Sequence, residues 1–588
     1  MVENAMTQSH SNRFSAPHWK TGISALALLS LVSTAAHAQC PAATATDFKK
    51  ETLVGSGVLK EPIELSVAKN GMVFVVQRNG DITLFNPATS QSNTAIHLDC
   101  YLNPGAYDVG GPLGVAVAPD FPTDNWVYLY YAPAASFSGA ANHNTGKLTY
   151  KLSRFRFAGT TLDANSEQTL LEIPSIWETH NGGSLKFGKN GDLYLSTGDN
   201  HAPGCSDQYS PMDERAGNSW CDDQATTANT NDLRGKILRI HPEATQVNGK
   251  YYSIPAGNLK EKYSSLWATA DLANKVKPEI YTMGHRNPYR IFPDPITGKL
   301  FIAENGPASG EDADRGPAGA DQWKVTDEAA FLGYPYFLKN NQAYCHWDYG
   351  QGKCVAIPGQ SGMKFDPAKP LNTSPNNTGV TILPPAKPAA LWEHDGANAD
   401  PVSGLKACGP GAGPVYHFDA SLNSRIKFPP DVDGKWIIHP IFSSGWQPKL
   451  VSPPSNFATI TAASTPPWGN LNFTPGLHDL EFGPGDGALY AVDYGGTMYN
   501  KNGDAGLFKI TYNGCLPTVS LAGRAAAPRA FLSLPADGGR IAAPAGARGA
   551  EVYDIAGKKL WETTLPEGAA NVTVPKGLAQ GMLRVLWK

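Results

Sequence analysis

The sequence has little charge, no excess of either sign and no long apolar run. Its 588 residues include 48 Lys and Arg against 52 Asp and Glu, for a formal net charge of −4. A chain with this charge balance is not expected to bind nucleic acid or an anionic membrane by electrostatic attraction. No apolar run reaches the ~20 residues that a transmembrane helix needs. None of the eight cysteines has the close Cys-x-x-Cys spacing of a zinc site, so a structural metal held by sulfur is not expected.

Glycine and proline, by contrast, are abundant. The chain has 60 Gly and 47 Pro, a composition that argues against helical bundles and coiled coils, which need uninterrupted helix formers. Hydrophobic residues make up 41%, enough for a sizeable core, while charged residues are only 17%. A turn-rich, aromatic-rich and weakly charged chain predicts an all-β architecture with many strands.

The N-terminal segment has the parts of a secretory signal peptide. Arg13 and Lys20 precede a short apolar stretch, and Ala36-His37-Ala38 forms a small-residue exit. We expect residues 1–38 to be a signal peptide cleaved after Ala38, and the mature protein to be periplasmic or secreted. The alternative interpretation is a buried N-terminal helix.

Export to an oxidising compartment favours pairing of the cysteines. All eight lie after the expected cleavage site. Cys205 with Cys221 and Cys345 with Cys354 are predicted to form local disulfide bonds. The other four are expected to join distant parts of the chain, for instance Cys40 with Cys515.

The middle of the chain repeats one pattern, a Gly turn followed by an alternating strand and a second short strand. Period-2 strands after such turns are hairpins. Five copies begin at Gly71, Gly191, Gly298, Gly434 and Gly487, and one more consists of Trp126–Tyr130 followed by Leu152–Phe157. Repetition at long, uneven intervals predicts a six-bladed β-propeller with insertions, rather than a sandwich array or a solenoid. We predict a propeller over 39–515, an Ala/Pro-rich linker over 516–530 and a small β-sandwich-like domain over 531–588.

Three loop segments carry candidate chemistry. His180 is followed by Gly182 and Gly183, which would leave room for a ligand beside the imidazole, although a lone His is often structural. Arg286 lies in a Gly-His-Arg-Asn-Pro segment and has a structural ion pair as its alternative role. The segment Glu304–Pro307 is followed by three acidic residues that predict an oxygen-ligand calcium site or, alternatively, a solvated loop. These acidic residues are Glu311, Asp312 and Asp314.

Seven motifs in order carry a resemblance to a known family. The motifs are Leu113–Phe121, Val127–Tyr131, His180–Leu185, Gly191–Asp199, Gly235–Arg239, Gly284–Pro288 and Glu304–Pro307. Together they resemble the glucose/sorbosone dehydrogenase family over about 60–510. The resemblance implies a six-bladed propeller, a secreted or periplasmic enzyme, and pyrroloquinoline quinone with calcium as cofactors.

The resemblance also implies roles for individual residues. His180 falls where the family's general base takes the proton from the sugar C1 hydroxyl, while the hydride passes to the quinone. Arg286 and Asn287 fall where the family contacts the quinone oxygens, which makes Arg286 a candidate catalytic residue as well. Gly306 and Pro307 fall where backbone carbonyls hold the calcium. A sugar or glycan substrate and an external electron acceptor are the implied partners.

The chain departs from the family pattern at several positions. Thr179 stands where the glucose dehydrogenases have an Asp before the catalytic His, so we expect Asp199 to supply the orienting carboxylate. Ser443 takes the place of a Lys that anchors the cofactor carboxylates, and Gly476-Leu477-His478 replaces an Arg pair. Lys449 and His478 are the predicted replacements.

Because of these departures, two other functions stay open. One is a propeller that has lost the quinone and binds glycans or a surface partner. The other is a calcium-dependent hydrolase or lactonase on the same fold, with His180 as the base for water. The C-terminal domain resembles small β-domains that sort or attach secreted bacterial proteins. Its alternatives are a carbohydrate-binding role and a role limited to stabilising the protein.

Overall fold

The structure is a computed structural model whose described residues begin at Cys40 and end at Trp587. The chain divides into two compact units, residues 1–40 and 41–588, and every element below lies in the second. Segments outside the description are 1–39, 104–109, 143–144, 177–178, 202–204, 206, 394–399, 406–408, 442–447, 472, 475, 497–502, 518–529, 535–538, 543–548, 554–558, 566–570, 575–580 and 588. The expected signal peptide, Ser443 and most of the predicted linker therefore lie outside the described residues. Within the described ranges, no helix combines the length and apolarity needed to cross a bilayer.

The main body is a six-bladed β-propeller, as the repeat pattern predicts. Strand β1 spans Phe48–Val54. Blade 1 contains β2 Pro62–Val67, β3 Val73–Gln77, β4 Asp81–Asn86 and β5 Gln91–His97. Blade 2 contains β6 Gly111–Val117, β7 Trp126–Ala132, β8 Lys147–Ala158 and β9 Thr161–Ile176. Blade 3 contains β10 Leu185–Phe187, β11 Leu193–Thr197, β12 Lys236–Val247, β13 Lys250–Ser253 and β14 Ile280–Met283.

The second half of the propeller has longer connections. Blade 4 begins with β15 Asn287–Pro293, β16 Leu300–Asn305 and β17 Asp321–Thr326. The connection that follows carries the short strands β18 Ala330–Phe331, β19 Phe337–Leu338, β20 Gln342–Ala343, β21 Trp347–Asp348 and β22 Lys353–Cys354, and β23 Leu391–Glu393 completes the blade. Blade 5 contains β24 Pro410–Val415, β25 Trp436–Pro440, β26 Lys449–Val451 and β27 Ala463–Ser464. Blade 6 contains β28 Leu477–Phe482, β29 Leu489–Asp493 and β30 Gly506–Tyr512, with β1 as its outer strand.

Helices are short, and further strands follow the propeller. The α-helices are α1 Leu259–Lys262 and α2 Ala270–Ala273, and the 3-10 helices are Ala45–Asp47, Ala134–Ser136, Lys189–Gly191, Ser219–Cys221, Ser264–Trp267 and Pro430–Val432. The C-terminal strands are β31 Ala530–Leu534, β32 Gly539–Ala542, β33 Gly549–Tyr553, β34 Lys559–Thr564, β35 Asn571–Val574 and β36 Gly581–Trp587. They form a four-stranded sheet in the order β31-β36-β33-β34 and a β32-β35 pair.

The innermost strand of each blade starts that blade, and these six strands surround the central channel. Neighbours contact one another in the ring β2-β6-β10-β15-β24-β28, which closes between β28 and β2. Because every blade repeats the same antiparallel order, the six inner strands run in one direction. The residues directly before them meet at one end of the channel, which we call the N-terminal mouth.

A buried charge network fills the channel below this mouth. Lys186 of β10 donates to Asp479 Oδ2 (2.9 Å) and Glu481 Oε2 (3.2 Å) of β28. Glu64 of β2 accepts from the Ser184 hydroxyl at 2.6 Å and from backbone N–H groups of two neighbouring blades. Burial raises the pKa of Glu64 to about 7. Charged side chains from different blades therefore supply one another's hydrogen-bond partners along the axis.

Disulfide bonds partly follow the prediction. Cys205–Cys221 and Cys345–Cys354 are bonded, as their spacing predicts. Cys40 and Cys515 are each in a disulfide bond as well. The expectation that every cysteine is paired is wrong for Cys100, which is a free thiol. Burial raises the pKa of Cys100 to about 12, so this thiol stays protonated.

Candidate active site

A hairpin brings a histidine and a carboxylate together at the N-terminal mouth. His180 precedes β10 and Asp199 follows β11, and these strands pair antiparallel with Leu185 opposite Leu195. His180 Nδ1 lies 2.9 Å from Asp199 Oδ1. Their side chains are 9% and 1% exposed, so the pair is shielded from bulk water. The orienting carboxylate expected from the sequence is therefore in contact with the imidazole.

The loop that carries His180 has an unusual backbone. His180 has φ = 58°, in the left-handed region that non-glycine residues seldom adopt. Gly183 has φ = 108°, and a Cβ there would lie 2.4 Å from Leu113 Cβ of the neighbouring blade. A Cβ on Gly198 would lie 2.0 Å from the His180 carbonyl oxygen. Two glycines thus allow the close backbone packing that sets the position of the imidazole.

Arg286 and Asn287 reach the same mouth from blade 4. The Asp199 N–H donates to the Arg286 carbonyl oxygen at 2.6 Å. The Gly182 N–H donates to Asn287 Oδ1 at 3.2 Å. The Arg286 guanidinium donates to the Asn305 carbonyl oxygen at 3.4 Å, and the residue is 8% exposed. The structure therefore brings together His180, Arg286 and Asn287, three of the site residues taken from the sequence.

Two further residues of the mouth lie behind this pair. His201 and Asp223 are buried against Asp199, and His201 Nδ1 is in ion-pair contact with Asp223 Oδ1. Burial and the nearby Asp223 raise the pKa of Asp199. Burial alone would lower the pKa of His201, but the Asp223 carboxylate outweighs it and raises that pKa. Sequence reasoning missed His201 and Asp223, because neither lies in a recognisable motif and 21 residues separate them.

The predicted calcium segment has an ordered backbone and an exposed acidic turn. The Gly306 N–H donates to Asp321 Oδ1 at 2.9 Å, and Pro307 is buried. Asp312 accepts from the N–H groups of Asp314 and Arg315 within its own turn. Glu311 and Asp314 are exposed. Among the described residues, the group of His, Cys, Asp or Glu side chains close enough to share one ion is Asp199, His201 and Asp223, not the acidic turn.

His478 and Lys449, the predicted replacements for the missing anchors, occupy different places. His478 is on the inner strand β28, where its ring stacks on Tyr494 with centroids 4.7 Å apart. Burial, with the nearby Arg290, lowers the pKa of His478 to about 3, so it adds no positive charge. Lys449 is on β26, the third strand from the axis, and its Nζ donates to Thr465 Oγ1 at 3.2 Å.

A second arginine at the mouth has no motif to reveal it. Arg78 follows β3, and its Nε lies 3.3 Å from Glu61 Oε1, with the arginine side chain 9% exposed. The Tyr494 hydroxyl also donates to Glu61 Oε1, at 3.2 Å. Arg78 therefore lies near the stacked His478 and Tyr494 rings, and it supplies a buried positive charge there that His478 does not.

The chain is similar to a family of known proteins. Residues 59–344 match the family model for glucose/sorbosone dehydrogenase. Over 386 residues the chain is 23% identical to quinoprotein glucose dehydrogenase B of Acinetobacter calcoaceticus, covering 63% of this chain and 72% of the relative. It is also 23% identical over 209 residues to an aldose sugar dehydrogenase of Escherichia coli, covering 35% of this chain and 44% of the relative. The solved PQQ-bound aldose sugar dehydrogenase of Streptomyces coelicolor aligns with 17% identity and a TM-score of 0.45, covering 80% of this chain and 99% of that chain.

Proposed function

Because residues 59–344 make this chain a member of the glucose/sorbosone dehydrogenase family, whose members are sugar dehydrogenases that depend on pyrroloquinoline quinone (PQQ), we propose that it oxidises a sugar hydroxyl with PQQ. The substrate class in this proposal is an aldose oxidised at C1 to its lactone, or a related alcohol. The observation that carries the proposal is the buried His180–Asp199 pair at the N-terminal mouth. Export to the periplasm or beyond is part of the same proposal.

His180 acts as the general base in this proposal. Asp199 Oδ1 accepts the Nδ1 proton of His180, which fixes the tautomer and leaves Nε2 with its lone pair. Nε2 is then the atom that takes the proton from the sugar hydroxyl, and the carboxylate stabilises the imidazolium that forms. The backbone bond from Asp199 N–H to the Arg286 carbonyl holds the carboxylate in place.

The residues at the mouth fit a planar, multiply anionic quinone. Arg286 and Arg78 are two buried guanidinium groups, and guanidinium binds carboxylate and quinone oxygens with charge-assisted hydrogen bonds. Arg286 and Asn287 would hold the quinone oxygens, and Arg78 would face the cofactor carboxylates in place of the absent Lys and Arg pair. When bound, the quinone supplies the acceptor for the hydride that leaves the sugar carbon.

Calcium would rest on backbone oxygens in the Gly306–Pro307 segment. Oxygen ligands are the ones that calcium prefers, and the contact between the Gly306 N–H and Asp321 Oδ1 orders this backbone. The ion would offset negative charge on a neighbouring quinone.

The experiment that tests the proposal is titration of the purified, calcium-loaded protein with pyrroloquinoline quinone. The bound-quinone absorbance is followed first, and then its bleaching by a panel of aldoses. Saturable binding followed by bleaching is the expected result. An absence of binding at high micromolar quinone would contradict the enzyme proposal and would favour a glycan-binding propeller.

A further inference from the structure

Asp199, His201 and Asp223 form a buried group in which two carboxylate oxygens have no hydrogen-bond partner among the described residues. The candidate ligand atoms of Asp199, His201 and Asp223 all lie within 4.8 Å of one another, and each residue is at most 1% exposed. Asp199 Oδ2 and Asp223 Oδ2 have no hydrogen-bond partner among the described residues. Buried carboxylate oxygens without a partner are rare, because their lost hydration is not compensated. A bound cation or hydrogen-bond donor at these two oxygens would compensate for their lost hydration.

A third oxygen, from a distant part of the chain, lies beside them. Tyr334 is fully buried, and its hydroxyl interacts with the Asp223 carboxylate. Tyr334 interacts electrostatically with Asp223 and Asp199, which places the hydroxyl at this group. A fully buried hydroxyl beside two buried carboxylates adds a third oxygen to this group.

The remaining atoms of the group are held by other contacts. Asp199 Oδ1 accepts from the His201 N–H at 3.0 Å and contacts His180. Asp223 Oδ1 accepts from Thr226 Oγ1 at 3.3 Å, and the Asp223 N–H donates to the Pro211 carbonyl at 2.9 Å. Each carboxylate thus uses one oxygen for support and leaves the other available.

A disulfide bond ties the two ligand-bearing segments together. Cys205 follows His201 by four residues, Cys221 precedes Asp223 by two, and the two cysteines are bonded. Such a crosslink limits the conformations of the loop and keeps the ligands close before any ion binds. The group is therefore preorganised.

We propose that Asp199, His201 and Asp223 bind one divalent transition-metal ion, with zinc as the best match. An imidazole with two carboxylates is a ligand set that zinc accepts, whereas calcium takes about six to eight oxygen ligands. Three protein ligands leave one position of a tetrahedral ion for water. This site is separate from the calcium that the family implies at Gly306 and Pro307.

Charge supports the same assignment. Two buried carboxylates at close distance repel each other and lose their hydration. His201, Arg286 and Arg234 offset part of this cost, and a divalent cation between the carboxylates would offset more of it. The ion would hold the Asp199 carboxylate through Oδ2 while Oδ1 keeps His180 in place. Binding of the ion does not depend on the proposed quinone chemistry.

The test is zinc binding by the full-length protein without quinone or sugar. The protein is stripped with a strong chelator, dialysed into calcium to occupy calcium sites, and titrated with zinc alone. We expect one tightly bound zinc per chain by elemental analysis after desalting, and cobalt substitution should give visible absorption bands of a four-coordinate ion. His201→Gln and Asp223→Asn should each raise the Kd for zinc by about a hundredfold or more, since even changes outside the ligand set cost roughly 10- to 100-fold.

His241→Gln is the matched control. His241 Nδ1 lies 3.0 Å from Asp192 Oδ1 in the same blade, so this variant removes a similar His–Asp pair away from the group, and it should bind zinc like the wild type. Failure of the wild type to retain zinc, or unchanged zinc affinity in a folded His201→Gln protein, would overturn the proposal. If Asp223→Asn does not fold, the zinc affinity of His201→Gln decides between these outcomes, provided that the near-UV circular dichroism spectrum of this variant matches that of the wild type. Quinone binding is measured separately, so failure of the zinc site and failure of the dehydrogenase proposal are distinguishable.

Discussion

His180 Nδ1 and Asp199 Oδ1 are 2.9 Å apart because the hairpin formed by β10 and β11 opens toward the N-terminal mouth. The family pattern has an Asp directly before the histidine, and this chain has Thr179 there. Here a carboxylate 19 residues further along the chain contacts the imidazole. The contact supports a role for Asp199 in setting the tautomer and orientation of the base.

Asp199→Asn should lower the rate of sugar oxidation by about 10²- to 10⁴-fold, the usual contribution of general acid–base catalysis. An amide at this position no longer carries the charge that stabilises the imidazolium, and it can also offer a donor to Nδ1. The rate constant for quinone reduction in a single turnover is the measurement. Asp192→Asn, which alters the His241 pair in the same blade, is the control and should keep the wild-type rate. Equal rates in Asp199→Asn and wild type would contradict the role of this carboxylate.

Arg286→Gln should weaken quinone binding. A hydrogen bond to a charged group contributes about 1.5–3 kcal/mol, so the Kd for the quinone should rise by roughly 10- to 100-fold. Absorbance titration of the calcium-loaded protein measures it. Arg156→Gln changes an exposed arginine on β8 and serves as the control. Unaltered affinity in Arg286→Gln would remove this residue from the cofactor site.

Lys186→Met should destabilise the propeller strongly. Removing the ammonium leaves Asp479, Glu481 and Glu64 buried without their common cation, and breaking a buried ion pair in this way costs about 3–5 kcal/mol. Urea unfolding gives the change in the free energy of unfolding. Lys435→Met, at a lysine whose Nζ contacts Ser452 at the surface, should stay within about 0.5 kcal/mol of the wild type. A small effect at Lys186 would mean that the axial network is not important for stability.

The pair His417–Asp294 should make stability depend on pH. His417 Nε2 lies 2.9 Å from Asp294 Oδ1, and this hydrogen bond, with Asp433 nearby, raises the pKa of His417. A raised pKa in the folded state stabilises the protein below the ordinary histidine value of about 6.5, and this contribution is lost as the pH rises through the raised pKa.

The check on this pair is a comparison of His417→Gln with wild type. We expect the variant to be less stable by about 0.5–1 kcal/mol near pH 6, with the difference shrinking above about pH 8. Comparing the two proteins at each pH cancels the titration of other groups, such as Glu64. A difference that is constant across this range would show that the pair is not charged in the folded protein.

The sequence predicts the propeller well but not its innermost strands. The hairpins after Gly71, Gly191 and Gly487 are visible because their strands alternate and have many aromatic and β-branched residues. Strand β24, with the sequence Pro-Gly-Ala-Gly-Pro-Val, does not look like a strand. Its glycines are explained only by the fold, since a Cβ on Gly411 would lie 2.3 Å from the His439 ring.

Some residues of the candidate site can likewise be identified from the sequence, and others cannot. His180, Arg286 and Asn287 could be identified because each lies in a compact glycine- or proline-containing motif. Arg78, His201, Asp223 and Tyr334 could not, because they come together only through the order of the blades and the Cys205–Cys221 loop. Whether a polar residue lies at the mouth depends on which end of a strand it follows, and a local pattern does not contain that information.

The role of His180 as the general base is tested by single-turnover reduction of the quinone by an aldose in His180→Ala, compared with wild type and with His241→Ala. Each protein is first loaded with calcium and quinone, and the Kd for the quinone is determined. We expect His180→Ala to bind the quinone with nearly wild-type affinity and to reduce it at least about 10²-fold more slowly, while His241→Ala matches the wild type. Reduction at the wild-type rate by quinone-loaded His180→Ala would contradict the assignment of His180 as the base.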